Sequence, residues 1–217
     1  MILNMYKPKG WTSFDVVKKV RSITKEKKVG HGGTLDPFAE GVLVLGTGPD
    51  TKKLGMISDT NKEYFATLKL GTRTDTYDID GQVVEDKEIP MLTLKEVNTV
   101  LKSFIGEQYQ TPPMYSAKKV NGQRLYKLAR KNIEIEREPC LINIVDIELI
   151  TFNSPVIEFN VTCSKGTYIR VLGNEIANQL GTVGHLIALK RKKVGEYAIN
   201  ETIQIDDLVN NGCFKEP

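Results

Sequence analysis

The sequence predicts an α+β fold, a mixed and mainly antiparallel sheet with flanking helices, in one domain over residues 1–217. Three observations carry this reading. Segments of two-residue apolar alternation outnumber segments of helical spacing. The two kinds do not alternate regularly, as a parallel βαβ chain requires. No repeat, low-complexity tract or Gly/Ser linker divides the chain. At 217 residues, 40% hydrophobic and 26% charged, such a chain buries about 70% of its unfolded surface and needs neither disulfide nor metal to fold.

The elements follow in order. Thr12 and Asp15 make a capping box ahead of Phe14, Val17, Val20 and Ile23, predicting the first helix. Residues 42–45 form an apolar strand. In residues 64–70, Tyr64, Ala66, Leu68 and Leu70 share one face. Thr93 and Glu96 cap a second helix with a stripe of Leu94, Val97, Val100, Leu101, Phe104 and Ile105, which Gly106 stops. Residues 141–152 and 156–163 are strands, the latter turning Ile157, Phe159, Val161 and Cys163 to one face. A third helix runs from about 168 to 180 with Ile169, Leu172, Ile176 and Leu180 inward, and residues 205–209 form a short closing helix. Asp80-Gly81 and Asn121-Gly122 read as tight turns.

Several function classes are excluded. Gly46-Thr47-Gly48 lacks the further glycine of a dinucleotide loop, and residues 48–53 lack the ending of a P-loop. There is no Gly-x-Ser-x-Gly elbow and no His-x-x-x-His. Cys140, Cys163 and Cys213 are unpatterned, and with two histidines they make neither a zinc spacing nor a disulfide framework. A reducing, cytoplasmic setting is expected. No apolar run is long enough to span a membrane, and the start is no signal peptide. Chemistry must fall to carboxylates, tyrosines, arginines or the two histidines.

The net charge of +3 is small, but its distribution is uneven. Residues 7–28 carry eight Lys/Arg against Asp15 and Glu26; residues 118–131 carry six and no acid; Lys190-Arg191-Lys192-Lys193 is unbroken; six acids gather from Asp75 to Glu88. Each run alone reads as a solvated face. Together, with Tyr115 and Tyr126 interleaved, they tilt towards a phosphate-binding surface.

Residues 30–46 combine a glycine-rich loop, one carboxylate and an apolar strand. Glycines let backbone approach a ligand closely. Asp36 before Pro37 is also a favoured helix start, with Asp at N-cap and Pro at N1. His31 by spacing is equally an ordinary loop residue.

Gly30-His31-Gly32-Gly33-Thr34-Leu35-Asp36-Pro37 resembles the catalytic signature of the TruB family of pseudouridine synthases. Four further motifs resemble that family in the same order. They are Lys7-Pro8-Lys9-Gly10-Trp11-Thr12-Ser13; Tyr64 with residues 70–78; residues 113–118 with Leu125-Tyr126 and Ala129-Arg130; and Ser164-Lys165-Gly166-Thr167-Tyr168-Ile169-Arg170. The resemblance covers essentially the whole chain and implies conversion of uridine 55 in the TΨC arm of tRNA to pseudouridine, a reaction that needs no cofactor or metal. The sequence shows no strong oligomer interface, so a monomer is the default expectation.

It also implies residue roles. Asp36 is the essential carboxylate and Arg170 its cationic partner. Tyr64 stacks on the target base and helps move the C5 proton. Tyr168 supports the pocket wall, and Leu189 is its apolar contact. His31 fills the space left by the flipped base. Lys118, Lys119 and Arg191 are the expected phosphate contacts, whereas Cys140, Cys163 and His185 are expected to be structural. Two departures stand out: Gly32 replaces the family's usual Thr, and no C-terminal RNA-binding domain of PUA type is expected. Rival readings are a non-catalytic RNA-binding or tRNA-folding module, which intact Asp36, Tyr64 and Arg170 oppose, and a guide-RNA-dependent pseudouridylase subunit of the dyskerin type.

Overall fold

In the computed structural model, which describes residues 1–120 and 122–210, the chain packs as two compact units: residues 1–64 with 189–210, and a second unit within residues 65–188.

In the first unit, β1 (Ile2–Lys7) alternates half-buried and buried positions. Helix α1 (Ser13–Thr24) starts at the Thr12–Asp15 capping box, as predicted, and ends where Lys25 adopts φ 57°. Its inward face is Ser13, Val16, Val17 and Val20. Phe14, assigned to the apolar stripe, is instead 52% exposed, with the Lys18 ammonium 4.9 Å from its ring centre. Strands β2 (Val29–His31) and β3 (Glu40–Thr47) pair antiparallel, and β3 also pairs antiparallel with β1, Met5 opposite Leu43. A 3₁₀ turn (Gly48–Lys53) and α2 (Leu54–Ser58) lead to β4 (Lys62–Leu70), whose first residues close this stretch.

The second unit opens with the rest of β4, and Ala66, Leu68 and Leu70 are buried as the two-residue period requires. A small hairpin, β5 (Thr72–Thr74) with β6 (Val83–Asp86), precedes α3 (Leu94–Ser103). The Thr93–Glu96 box forms, but only Val97 and Leu101 are buried; Leu94 is 62% exposed. Strand β7 (Gly106–Gln110) pairs antiparallel with β10 (Cys140–Asn153), and β10 pairs with β11 (Val156–Cys163). Between β7 and β10 lie β8 (Lys119–Val120), β9 (Gln123–Arg124) and α4 (Leu125–Ala129). Lys119 pairs with Arg124 across the predicted hairpin, and Gly122 has φ +79°; Asn121 lies outside the described residues. Helix α5 (Ile169–Gln179) buries Ile169, Leu172 and Ile176.

Strand β12 (Gly184–Val194) starts in the second unit and ends in the first, where Lys190 and Arg191 pair parallel with Glu40 and Gly41 of β3. There β13 (Tyr197–Ala198) folds back on it, and α6 (Ile205–Asn210) sets Leu208 against Leu3, Met5, Val16, Val17, Leu43 and Leu45. Strand β3 is buried on both faces, since Val42 and Val44 pack with Val194 on the other side.

Candidate active site

The glycine-rich segment of the first unit is a loop tied at both ends. His31 pairs with Leu45 in the β2–β3 ladder, and Gly32 N–H donates to the Val44 carbonyl at 2.8 Å. Beyond it the chain turns, with Ala39 N–H donating to the Asp36 carbonyl at 3.1 Å, and enters β3 at Glu40. Asp36 therefore caps no helix. The Asp-Pro pair makes a single turn because the next residues are committed to a buried strand.

Three side chains hold this loop from inside. Ser13 Oγ accepts from Leu35 N–H at 2.8 Å and donates to the Leu35 carbonyl at 3.1 Å. Lys7, wholly buried, donates to the Pro8, Trp11 and Pro37 carbonyls. Arg191, 1% exposed, donates from Nε to the Val42 carbonyl at 2.7 Å, from Nη1 to Thr34 at 3.4 Å and from Nη2 to Gly33 at 3.1 Å. Gly33 sits at φ +126° and Gly41 at φ +107°; a Cβ on Gly41 would lie 2.3 Å from the Arg191 carbonyl oxygen. Two buried cations thus flank the backbone that carries Asp36. Burial pushes the Lys7 ammonium down to about 8, with Asp36 and Glu40 pulling upward and Arg191 adding to the depression.

This corrects the expectation for Arg191. It is no phosphate contact but a brace of the Asp36 loop, its guanidinium spent on backbone carbonyls. Its neighbours are also engaged: Lys190 pairs with Glu40 at 2.8 Å and Lys193 with Glu63 at 3.7 Å. The N-terminal run loses Lys7 from its solvated face in the same way. Tyr64 and Leu189, also in this unit, are 8% and 6% exposed.

The second unit holds Arg170, Tyr168, Lys118 and Lys119. Arg170 is no exposed helix-start arginine: in the first turn of α5 it is 2% exposed, with Nε 3.3 Å from Asp78 Oδ2, Nη1 donating to the Thr76 carbonyl at 2.6 Å and Nη2 to the Tyr115 carbonyl at 2.9 Å. Asp78, 4% exposed, is braced by Thr76 Oγ1, which donates to Oδ1 at 2.6 Å. Asp78 is the site residue that sequence reasoning passed over. It stands inside a quoted motif, but acids 75–88 read as a surface cluster until Arg170 is seen to be buried with it.

Tyr168 precedes α5, its N–H donating to Gln110 Oε1 at 2.8 Å while Gln110 Nε2 donates to its carbonyl at 3.2 Å. His185 contacts the Thr72 carbonyl through Nδ1 at 2.8 Å. Cys163 is core, but Cys140 is only half-buried. Lys119, Arg124, Lys127, Arg130 and Lys131 stay exposed. A cleft of about 530 Å³ in this unit is lined by Asp75, Tyr77, Tyr115, Arg137, Asn174 and Glu175, among others. Among the described residues no cluster of three or more His, Cys, Asp or Glu could hold a metal ion, and no helix is long and apolar enough to cross a membrane.

Comparison with known proteins bears on this geometry. The family model described as TruB family pseudouridylate synthase (N terminal domain) matches residues 21–169. A tRNA pseudouridine synthase B of Clostridium tetani (strain Massachusetts / E88) is 49% identical over 207 residues, covering 95% of this chain and 72% of that protein. One from Clostridium kluyveri is 48% identical over 214 residues, covering 99% and 74%. Among solved structures, a chain of a Cbf5-Nop10-Gar1 complex matches with TM-score 0.76 at 28% identity, over 96% of this chain and 53% of that one. A chain of an H/ACA RNP bound to a substrate RNA containing 2′-deoxyuridine matches with TM-score 0.71 at 26% identity, over 96% and 52%. The present chain spans about half the length of these solved chains.

Proposed function

The chain belongs to the TruB family of pseudouridylate synthases, and from that premise we propose that it isomerises uridine to pseudouridine at position 55 in the TΨC arm of tRNA. The observation that carries the proposal is the braced Asp36 loop. Lys7, Ser13 and Arg191 spend their polar groups on the backbone of residues 33–37, which fixes one carboxylate before substrate arrives. Such preorganisation is where a catalytic group gains most.

The reaction breaks the C1′–N1 bond, turns the detached uracil and joins C1′ to C5, while the C5 proton leaves. No atom is added and nothing is oxidised. Asp36 acts on the ribose, by attack at C1′ or by removal of the C2′ proton, and both routes need it ionised. A cation favours that form, and the family resemblance makes Arg170, held within the second unit by Asp78 and two carbonyls, the candidate for it. Tyr64 offers its ring to the base and its hydroxyl to the C5 proton. Leu189 and Tyr168 supply pocket walls that keep water from the detached base.

Uridine 55 must leave its stack, at a cost of a few kcal/mol. His31 takes the vacated position and stacks on the remaining bases. Lys118 and Lys119, with the exposed basic residues to Lys131, supply phosphate contacts. The protein acts as a monomer in the cytoplasm, where its substrate is found. Identity near one half to tRNA pseudouridine synthases B, against 28% to the Cbf5 chain, favours the stand-alone enzyme over a guide-dependent subunit. The test is release of tritium from C5-labelled uridine in an unmodified tRNA transcript. Release by protein alone is expected; no release sinks the enzyme reading, and release only with an added guide RNA selects the rival.

A further inference from the structure

One side-chain pair outside the proposed reaction centre carries its own chemistry. Lys118 Nζ lies 2.7 Å from Cys140 Sγ. That separation is usual for an N–H···O bond, although sulfur is the larger atom. Both side chains are half-buried, and both backbones are held. Cys140 opens β10 and pairs with Gln110. The Lys118 carbonyl accepts from Leu125 N–H at 2.9 Å, and the next residue pairs with Arg124. The two groups therefore meet across a fixed gap that a small oxidant can reach.

We propose that Lys118 and Cys140 form an oxidation-dependent covalent bridge, Nζ–O–Sγ, with a peroxide as the oxidant. One oxygen singly bonded to nitrogen and sulfur spans about the observed gap with neither backbone moved, whereas a direct N–S bond requires the atoms to close well inside it. One peroxide converts the thiol to a sulfenic acid and leaves as water. The Lys118 ammonium sheds its extra proton to solvent. The amine and the sulfenic acid then each give up one hydrogen, the N–O bond forms, and a second peroxide takes the two hydrogens and two electrons and departs as two waters. Thiol, amine and two peroxides thus become the bridge and three waters. A dithiol reverses it.

The bridge ties the segment containing Tyr115, whose carbonyl holds Arg170, to β10 and removes the first charge of the exposed basic run. The consequence for RNA rests on the proposed function; the bridge itself does not.

The experiment uses the full chain carrying Cys213→Ser, treated with hydrogen peroxide and cleaved after glutamate. Lys118 then lies in fragment 108–134 and Cys140 in fragment 137–148, since the Glu138–Pro139 bond resists cleavage. The expected result is one joined species, heavier than the two fragments together by an oxygen less two hydrogens (apart from sulfoxide at Met114), that separates on adding dithiothreitol and is absent in Lys118→Arg. Recovery of Cys140 as sulfinic or sulfonic acid on an unlinked fragment overturns the proposal. So does a link lacking the oxygen, or one that survives Lys118→Arg. In a second measurement, the bridged protein's tRNA affinity is expected to depend on salt with a slope smaller by about one. An unchanged slope beside a formed bridge overturns the consequence for RNA.

Discussion

Lys7 carries its charge where water cannot reach it. Its pKa is pushed down to about 8, first by burial, with Asp36, Glu40 and Asp15 pulling upward and Arg191 pressing down. The folded value lies below the 10.5 of an ordinary lysine, so between about pH 8 and 10.5 the unfolded chain holds more protons. This group's contribution to stability therefore rises with pH across that window and is flat below it. Urea titrations at several pH values check this: from pH 8 to 10.5 the slope of stability against pH is expected to be more positive in wild type than in Lys7→Met. Lys7→Met itself is expected to lose about 3 kcal/mol or more, because three carbonyls lose their donor. Arg191→Met and Lys119→Ala separate brace from phosphate contact. Arg191→Met lowers the urea midpoint markedly, whereas Lys119→Ala leaves it in place and reduces the salt slope of tRNA binding by about one.

At the scale of elements, the site depends on how closely β3 and β12 approach. Gly41 has no Cβ because one would collide with the Arg191 carbonyl oxygen, and its φ of +107° suits glycine alone. Gly41→Ala is expected to cost about 3 kcal/mol or more and to lower kcat by loosening residues 33–36; thermal melts and single-turnover rates check both. Much of the element plan could be read in advance. Capping boxes at Thr12 and Thr93 started helices where expected, and apolar alternation marked β4 and β11 because each buries one face. The end of β12 was hidden because Lys190 to Lys193 are four like residues. Only their partners tell them apart, Arg191 being bonded to backbone carbonyls and Lys190 and Lys193 paired with Glu40 and Glu63. Asp36 misled for a related reason. Local chemistry favours a helix start at Asp-Pro, but tertiary pairing of β3 takes the chain immediately after.

Across the molecule, the first unit is assembled from the two ends of the chain. Ile203 N–H donates to the Asn4 carbonyl at 2.8 Å, and Tyr6 N–H donates to the Ile203 carbonyl at 3.0 Å, so the C-terminal segment covers the open edge of β1. Leu208 then seals Leu3 and Met5. No local pattern announces such long-range pairing, whereas the five family motifs identified Asp36, Tyr64 and Arg170 as candidates without it. Truncation after Glu201 is expected to expose this core and to lower the urea midpoint. An unchanged midpoint would show the segment to be dispensable.

The central claim is that Asp36 is a reacting carboxylate on a prebuilt loop, and Asp36→Asn tests it most directly. Single-turnover conversion of an unmodified tRNA transcript is measured beside tRNA binding and circular dichroism. Conversion is expected to be abolished while binding stays within about tenfold and the fold is intact. Conversion at a rate near wild type, or loss of conversion and binding together with the fold intact, would contradict it.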